Sequence, residues 1–138
     1  MQDSQPDEQG PLLLIDENLA DRPLANALRL VGYNTIAVRD QFGHGADDPT
    51  LIQWVGLRGG IWITGDEQAK RKHAQEIKNA GIHIIWVRRP KNAGRSKKDQ
   101  LPLLLWVIDD ILQEISKSKL PTQFSARCSG KRPKYERL

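Results

Sequence analysis

Four short apolar runs most limit what this chain can fold into: LLLID at 12–16, NTIAV at 34–38, GIWIT at 60–64 and IHIIWV at 82–87. Each is bounded by turn formers and reads as a strand, LLLID as one buried on both faces. Segments with helical spacing lie between them. In PLANALRLV (23–31), Leu24, Ala27, Leu28 and Val31 share one face, and Gly32 ends the run. RDQFGHGADD (39–48) reads as a glycine-rich loop, and Asp48-Pro49 opens a helix over PTLIQWVGLR. DEQAKRKHAQEIKNA (66–80) is a polar helix closed by Gly81. LPLLLWVIDDILQEISKS (101–118) is the most apolar helix, with Leu104, Val107, Ile108, Ile111, Leu112 and Ile115 as its stripe. Alternating strands and helices imply an α/β fold, a three-layer sandwich around a mainly parallel four-stranded sheet. Trp54, Trp62, Trp86 and Trp106 fall on these strands and apolar faces and are expected in the core.

The 138 residues suit one domain over 11–118, with a disordered N-terminus (1–10) and a basic C-terminal tail (119–138), extended or mobile. One cysteine, Cys128, excludes an internal disulfide framework and a multi-cysteine zinc site. No run approaches the eighteen or so apolar residues of a membrane span. The start, MQDSQPDEQG, is unlike a signal peptide. A soluble, cytoplasmic protein without a membrane partner is expected. Charge is divided: residues 1–50 carry a net −6 and residues 51–138 a net +10, an asymmetry that points to a polyanion or to a solubilising tail.

Ligands of open α/β sheets bind beyond the carboxyl ends of the strands, where the strand order reverses. With the order 2-1-3-4 that place lies between strands one and three. Asp16 closes strand one, Asp66 follows strand three in ITGD, and Asp48 opens the helix leading into strand three. Three carboxylates converging there would repel one another, a conflict that a hard divalent cation removes. Asp48 and Asp66 are also suited to helix capping, and Asn18 or Asp21 to capping helix one. Glu17 alternates away from Asp16, though its longer side chain is able to return; Asp40 and Asp47 are reserve acids on the same side.

The segments LLIDENL (13–19), VRDQFGHGADDPTLI (38–52) and WITGD (62–66) resemble, in this order, those of the PIN-like domain family in its compact form, which includes VapC-type toxin ribonucleases. The resemblance spans roughly residues 12–90. It implies that Asp16, Asp48 and Asp66 bind Mg²⁺ or Mn²⁺, with Thr64 as a hydrogen-bonding support; Glu17, by its place next to Asp16, takes a secondary role at the site. It also implies an endoribonuclease hydrolysing RNA phosphodiesters, the toxin of a type II pair held inactive by a cognate antitoxin. The sequence departs from the family in lacking the acid that larger members carry on a middle helix. It also has Glu67-Gln68-Ala69 where an Asp-Phe is usual, and one extra residue in ENLADRPLA.

An RNA enzyme with an acidic site needs basic surface around it. Lys70, Arg71 and Lys72 follow Asp66, and Arg88, Arg89, Lys91, Arg95, Lys97 and Lys98 follow strand four at the same sheet edge. The plainer reading makes KRK a solvated helix face. His73 and His83 lack metal-ligand spacing; His44, in the glycine-rich loop, reads either as an acid or RNA contact or as an incidental loop residue. Two other functions remain open: a non-catalytic RNA- or partner-binding module on a degenerate fold, and a receiver-like phosphoacceptor, which TGD matches loosely. The apolar helix 101–118, or the tail, is expected to contribute to a homodimer or partner interface.

Overall fold

Two apolar layers need a sheet between them, and the first four strands supply most of it, with β1, β3 and β4 in its interior. The computed structural model describes residues 10–66, 68–88, 99–129 and 132–138. In chain order the elements are β1 (Leu13–Ile15), α1 (Asp21–Leu30), β2 (Thr35–Ala37), α2 (Val38–Phe42), α3 (Asp48–Leu57) and β3 (Ile61–Thr64). Then come α4 (Gln68–Lys72), α5 (Ala74–Ala80), β4 (His83–Val87), α6 (Gln100–Lys117), β5 (Gln123–Ser129) and β6 (Arg132–Arg137). The sheet order is β2-β1-β3-β4-β5-β6, parallel throughout except for the antiparallel pair β5–β6.

Side chains alternate across a strand, so each central strand feeds both layers. Leu13, Ile15, Ile61, Ile63, Ile85 and Val87 pack under α1 and α6, against Leu24, Leu28, Leu104, Val107 and Ile108. Leu14, Trp62, Ile84 and Trp86 face the other way, against Leu51, Ile52 and Val55 of α3 and Ile77 of α5. Burial on both faces is what makes these strands read as unbroken apolar runs. Gly60 holds α3 tight to β3: a Cβ there would lie 2.8 Å from Val55 Cγ2 and 2.9 Å from the Leu12 carbonyl.

The expected four-stranded sheet is corrected to six strands, because the tail is built into it. β5 pairs with β4 from Ile84↔Gln123 to Val87↔Ala126, and β6 pairs back from Phe124↔Arg137 to Ser129↔Arg132. Phe124 and Ala126 enter the α6-side core, and the Tyr135 hydroxyl donates to Glu114 on α6. The expected loop 39–48 contains α2, and the polar helix 66–80 divides into α4 and α5 at His73. Trp106 is 69% exposed rather than in the core, since the apolar residues of α6 extend around more of the helix than the sheet covers. The expected disorder of residues 1–9 and the basic loop with Arg89, Lys91, Arg95, Lys97 and Lys98 lie outside the described residues. Among the described residues no helix is long and apolar enough to cross a membrane.

Asp21 opens α1 fully buried, and a guanidinium meets it there. Arg39 Nη2 and Nε donate to its Oδ1 at 2.7 and 3.0 Å, and the Arg39 backbone N–H reaches Oδ2 at 3.2 Å. This pair holds Asp21's carboxyl below its ordinary range despite burial, which alone would raise it. Neither Asn18 nor Asp21 caps α1; the N–H of Ala20 at the cap position donates to Gln100 Oε1 of α6 instead.

Candidate functional site

The register that pairs Ile15 with Ile63 brings the carboxyl ends of β1 and β3 side by side. Asp16 extends the ladder by donating its N–H to the Ile63 carbonyl, so its side chain arises beside Thr64. Asp16 Oδ2 accepts the Thr64 hydroxyl proton at 2.9 Å, and Oδ1 accepts the Glu17 N–H at 2.8 Å. Thr64 Oγ1 in turn accepts from Asn18 Nδ2 at 3.1 Å and from the Asp66 N–H at 3.2 Å. A hydroxyl offers one hydrogen and two lone pairs, so Thr64 is saturated and its proton direction is fixed toward Asp16.

Asn18 was expected to cap α1 and instead belongs to this network, its Oδ1 accepting from the Gly65 N–H at 2.9 Å. Gly65 leaves the needed room, since a Cβ there would come within 3.0 Å of Leu19 Cδ2. Asp66 Oδ1 accepts from the N–H of Gln68, the first residue of α4, at 3.0 Å. Asp48 is not the cap of α3. Asp47 fills that role, its side chain accepting from the Thr50 N–H at 2.9 Å, and Asp48 is the first helical residue. Its carboxylate is therefore available to the site, with Oδ2 3.6 Å from His73 Nε2.

The charges of Asp48 and Glu17 act on Asp16, and that of Asp66 acts on Asp48. Asp16 is 5% exposed, and its carboxyl is pushed up to about 6. Burial is the main cause, offset by the Thr64 hydrogen bond and reinforced by the charges of Asp48 and Glu17. Asp48 is also raised, first by burial; His73 and Lys72 pull it down and Asp66 pushes it up. Glu17 bends to the loop after α2, accepting from the Gly45 N–H at 3.3 Å with His44 Nδ1 3.6 Å away. Asp40 pairs with exposed Arg22 at 2.8 Å, so neither reserve acid joins the cluster.

Of the basic residues, Arg71 and Lys72 are exposed on α4 beside the site, and Lys70 lies in the same helix. Arg88 follows β4, its Nε donating to Ser125 Oγ and its backbone N–H to the Ala126 carbonyl. Arg89 lies outside the described residues. Two residues at the site were missed from sequence: Asn18, assigned to a cap, and His73, discounted for lack of spacing. The sign of His73's inward face is its position four residues after Ala69 and four before Ile77, both buried.

Among the described residues no three His, Cys, Asp or Glu side chains form a ready-made metal cage. The donor chemistry nevertheless fits a hard divalent ion. Both Asp21 and Asp16 are buried, but only Asp21 has a cation against it; among the described residues no Lys or Arg pairs with Asp16. Magnesium-like ions use one or two carboxylates and keep several waters, so a complete protein cage is not required.

Thr64→Val keeps the shape of Thr64 and removes three hydrogen bonds at once. It is expected to destabilise the protein by about 1–3 kcal/mol through the orphaned Asn18 and Asp66 groups, whereas Thr64→Ser stays near the parent. Urea midpoints check this; equal midpoints for Val and Ser would show that the hydroxyl holds nothing together.

A family model described as a PIN like domain matches residues 11–89, which contain the first four strands and the whole acidic cluster. No curated protein and no solved structure matches the chain.

Proposed function

The chain belongs to the PIN-like domain family, and from that premise we propose that it is a metal-dependent endoribonuclease acting on RNA phosphodiesters, the toxin of a type II toxin–antitoxin pair. The family's fold is a nuclease-type fold. The observation that supports activity in this chain is the state of Asp16. It is a buried carboxylate at a strand end, held by Thr64, coupled to two further acids and lacking a cationic partner among the described residues.

Asp16, Asp48 and Asp66 would hold Mg²⁺ or Mn²⁺. A bound ion of this kind polarises a phosphoryl oxygen and lowers the pKa of an attacking water. Thr64 and Asn18 fix the orientation of Asp16. Arg71 and Lys72, together with Lys70, Arg88 and Arg89, would contact substrate phosphates, so binding weakens as salt rises. Glu17 acts only through its charge on Asp16. A cognate antitoxin is the protein partner that this reading implies.

Purified protein is expected to cleave RNA with Mg²⁺ or Mn²⁺, to stop in EDTA, and to lose cleavage in Asp66→Asn. Undiminished cleavage in EDTA would sink the metal-dependent reading. A second reading, a non-catalytic RNA- or partner-binding module, is favoured by the lack of a three-residue cage among the described residues. Calorimetry separates the two: RNA binding without Mn²⁺ binding belongs to the second.

A further inference from the structure

The α3–α5 layer stops at β4. It covers Leu14, Trp62, Ile84 and Trp86, and none of the described residues of β5 or β6 enters that cluster. Phe124, Ala126 and Tyr135 are packed on the other face, under α6. The β5–β6 hairpin therefore has one face beneath a helix and one face outside both apolar clusters.

Alternation and register decide what the second face carries. Between the α6-facing residues of β5 stand Ser125 and Arg127, and their direct partners on β6 are Glu136 and Lys134. Arg132, two residues before Lys134, shares its side. Arg88 joins the same row, because its backbone N–H extends the β4–β5 ladder to the Ala126 carbonyl and its Nε donates to Ser125 Oγ. Arg88, Arg127 and Lys134 thus stand on three successive strands and span about 10 Å at a strand spacing of about 4.8 Å. Arg127, Arg132 and Lys134 are exposed, and none is in an ion pair among the described residues. Glu136 is the only acid of the two strands.

Like charges placed directly opposite on neighbouring strands work against folding, so the Arg127–Lys134 pair does nothing for the sheet itself. An anion reaching across both strands relieves that repulsion. The row also has a direction. Thr64 is registered with Trp86, two residues before Arg88, so the row begins one strand away from the end of β3, where Asp66 follows. A phosphate chain that leaves the acidic cluster across β4 meets Arg88, then Arg127, then Lys134. The planar guanidinium fork suits phosphate oxygens. An acidic protein segment would also satisfy these charges, but continuity with the cluster favours a nucleic-acid backbone.

We propose that the open face of the β5–β6 hairpin is a track for the backbone of single-stranded RNA, held by Arg127, Lys134 and Arg132. β5 and β6 lie outside residues 11–89, so the track is built by a segment that the family model does not span. The inference rests on the RNA reading above and extends it from the acidic cluster to a surface three strands away.

The test is binding of a fluorescently labelled single-stranded RNA to the full chain in EDTA, followed by anisotropy as salt is raised. The parent is compared with Lys134→Gln, with the triple variant Arg127→Gln/Arg132→Gln/Lys134→Gln, and with Arg137→Gln. Arg137 is paired with Phe124 and bonded to Ser118, so it serves as a control of equal charge on the α6 side. Each lost phosphate contact takes about 0.7 from the slope of log affinity against log salt, so the triple variant should be shallower by about 2 and bind at least about tenfold more weakly at about 50 mM salt. Its thermal midpoint should equal or exceed the parent's, because the opposed charges are gone. An unchanged slope in the triple variant, or an equal effect of Arg137→Gln and Lys134→Gln, overturns the inference; the nuclease reading then stands on cleavage by the parent. A parent that cleaves no RNA with Mg²⁺ or Mn²⁺, yet loses RNA binding in the triple variant, supports the track and overturns the nuclease reading. A triple variant that loses poly-glutamate binding and keeps RNA binding assigns the face to an acidic protein and overturns the inference.

Discussion

Asp16→Asn will be inactive and yet more stable than the parent at pH 7.5. The loss of cleavage should be at least about a hundredfold, the scale on which removing one preorganised electrostatic group is felt. The gain in stability follows from the buried charge. With its carboxyl pushed up from 3.8 to about 6, Asp16 favours folding most when protonated. Its contribution is complete below pH 3.8 and is lost as pH rises through about 6. The loss corresponds to about 3 kcal/mol at neutral pH, at 1.36 kcal/mol per unit. Asparagine carries no charge, but it has one oxygen for the two donors, Thr64 hydroxyl and Glu17 N–H, so about 1 kcal/mol is given back. The net gain should be about 1–2 kcal/mol at pH 7.5 and should vanish near pH 4. Urea titrations at the two pH values measure it, and parallel curves for parent and variant would refute the account. Mn²⁺ should then stabilise the parent, by about 2.7 kcal/mol at a hundred times its Kd, and leave Asp16→Asn unmoved.

Arg39→Met is expected to be the most destabilising single change. It removes the only side chain shown paired with Asp21 and leaves that carboxylate charged in a place without water. Stranding a buried charge in this way costs about 3–5 kcal/mol. Because Arg39 itself reaches the surface, the lower end, about 3 kcal/mol, is expected. Acidity gives the sign of the effect. In the parent, Asp21's lowered pKa supplies stability above pH 3.8 that is lost as pH falls. In the variant the unpaired carboxyl takes a proton readily, so the deficit relative to the parent should shrink on acidification. The double change Asp21→Leu/Arg39→Met should recover most of the loss. A deficit that stays constant from pH 8 to pH 4 would place the cost elsewhere.

The two aspartates also show what a sequence reveals and what it hides. β1, β3 and β4 are legible because double-sided burial writes them as apolar runs such as LLLI and IIWV. The order of the first four strands and the placement of Asp16, Thr64 and Asp66 at neighbouring ends follow from that pattern. β5 and β6 are not legible, since QFSARCS and RPKYER place polar residues between the few that turn inward, Phe124, Ala126 and Tyr135. The strand character of β5 comes from pairing with β4, a tertiary event, and that of β6 from pairing with β5. The cap of α3 was assigned one residue late, because Asp47 and Asp48 are chemically alike and only the observed bond to Thr50 distinguishes them. Asn18 and His73 act through partners 46 and 25 residues away, contacts that no local pattern encodes. Trp106 was misplaced because apolarity alone does not say which side of α6 meets the sheet.

The two margins of the sheet have a consequence for self-association. One margin is β2, only three residues long; the other is β6, where Pro133 interrupts the N–H row and Arg132, Lys134, Glu136 and Arg137 stand exposed. Short strands, prolines and exposed charges are what keep a foreign strand from zipping on. Growth into fibrils by strand addition is thus blocked at both sides. The exposed apolar side chains of α6, Leu105 and Trp106, lie on a helix, where any association would bring helix against helix and not extend the backbone ladder.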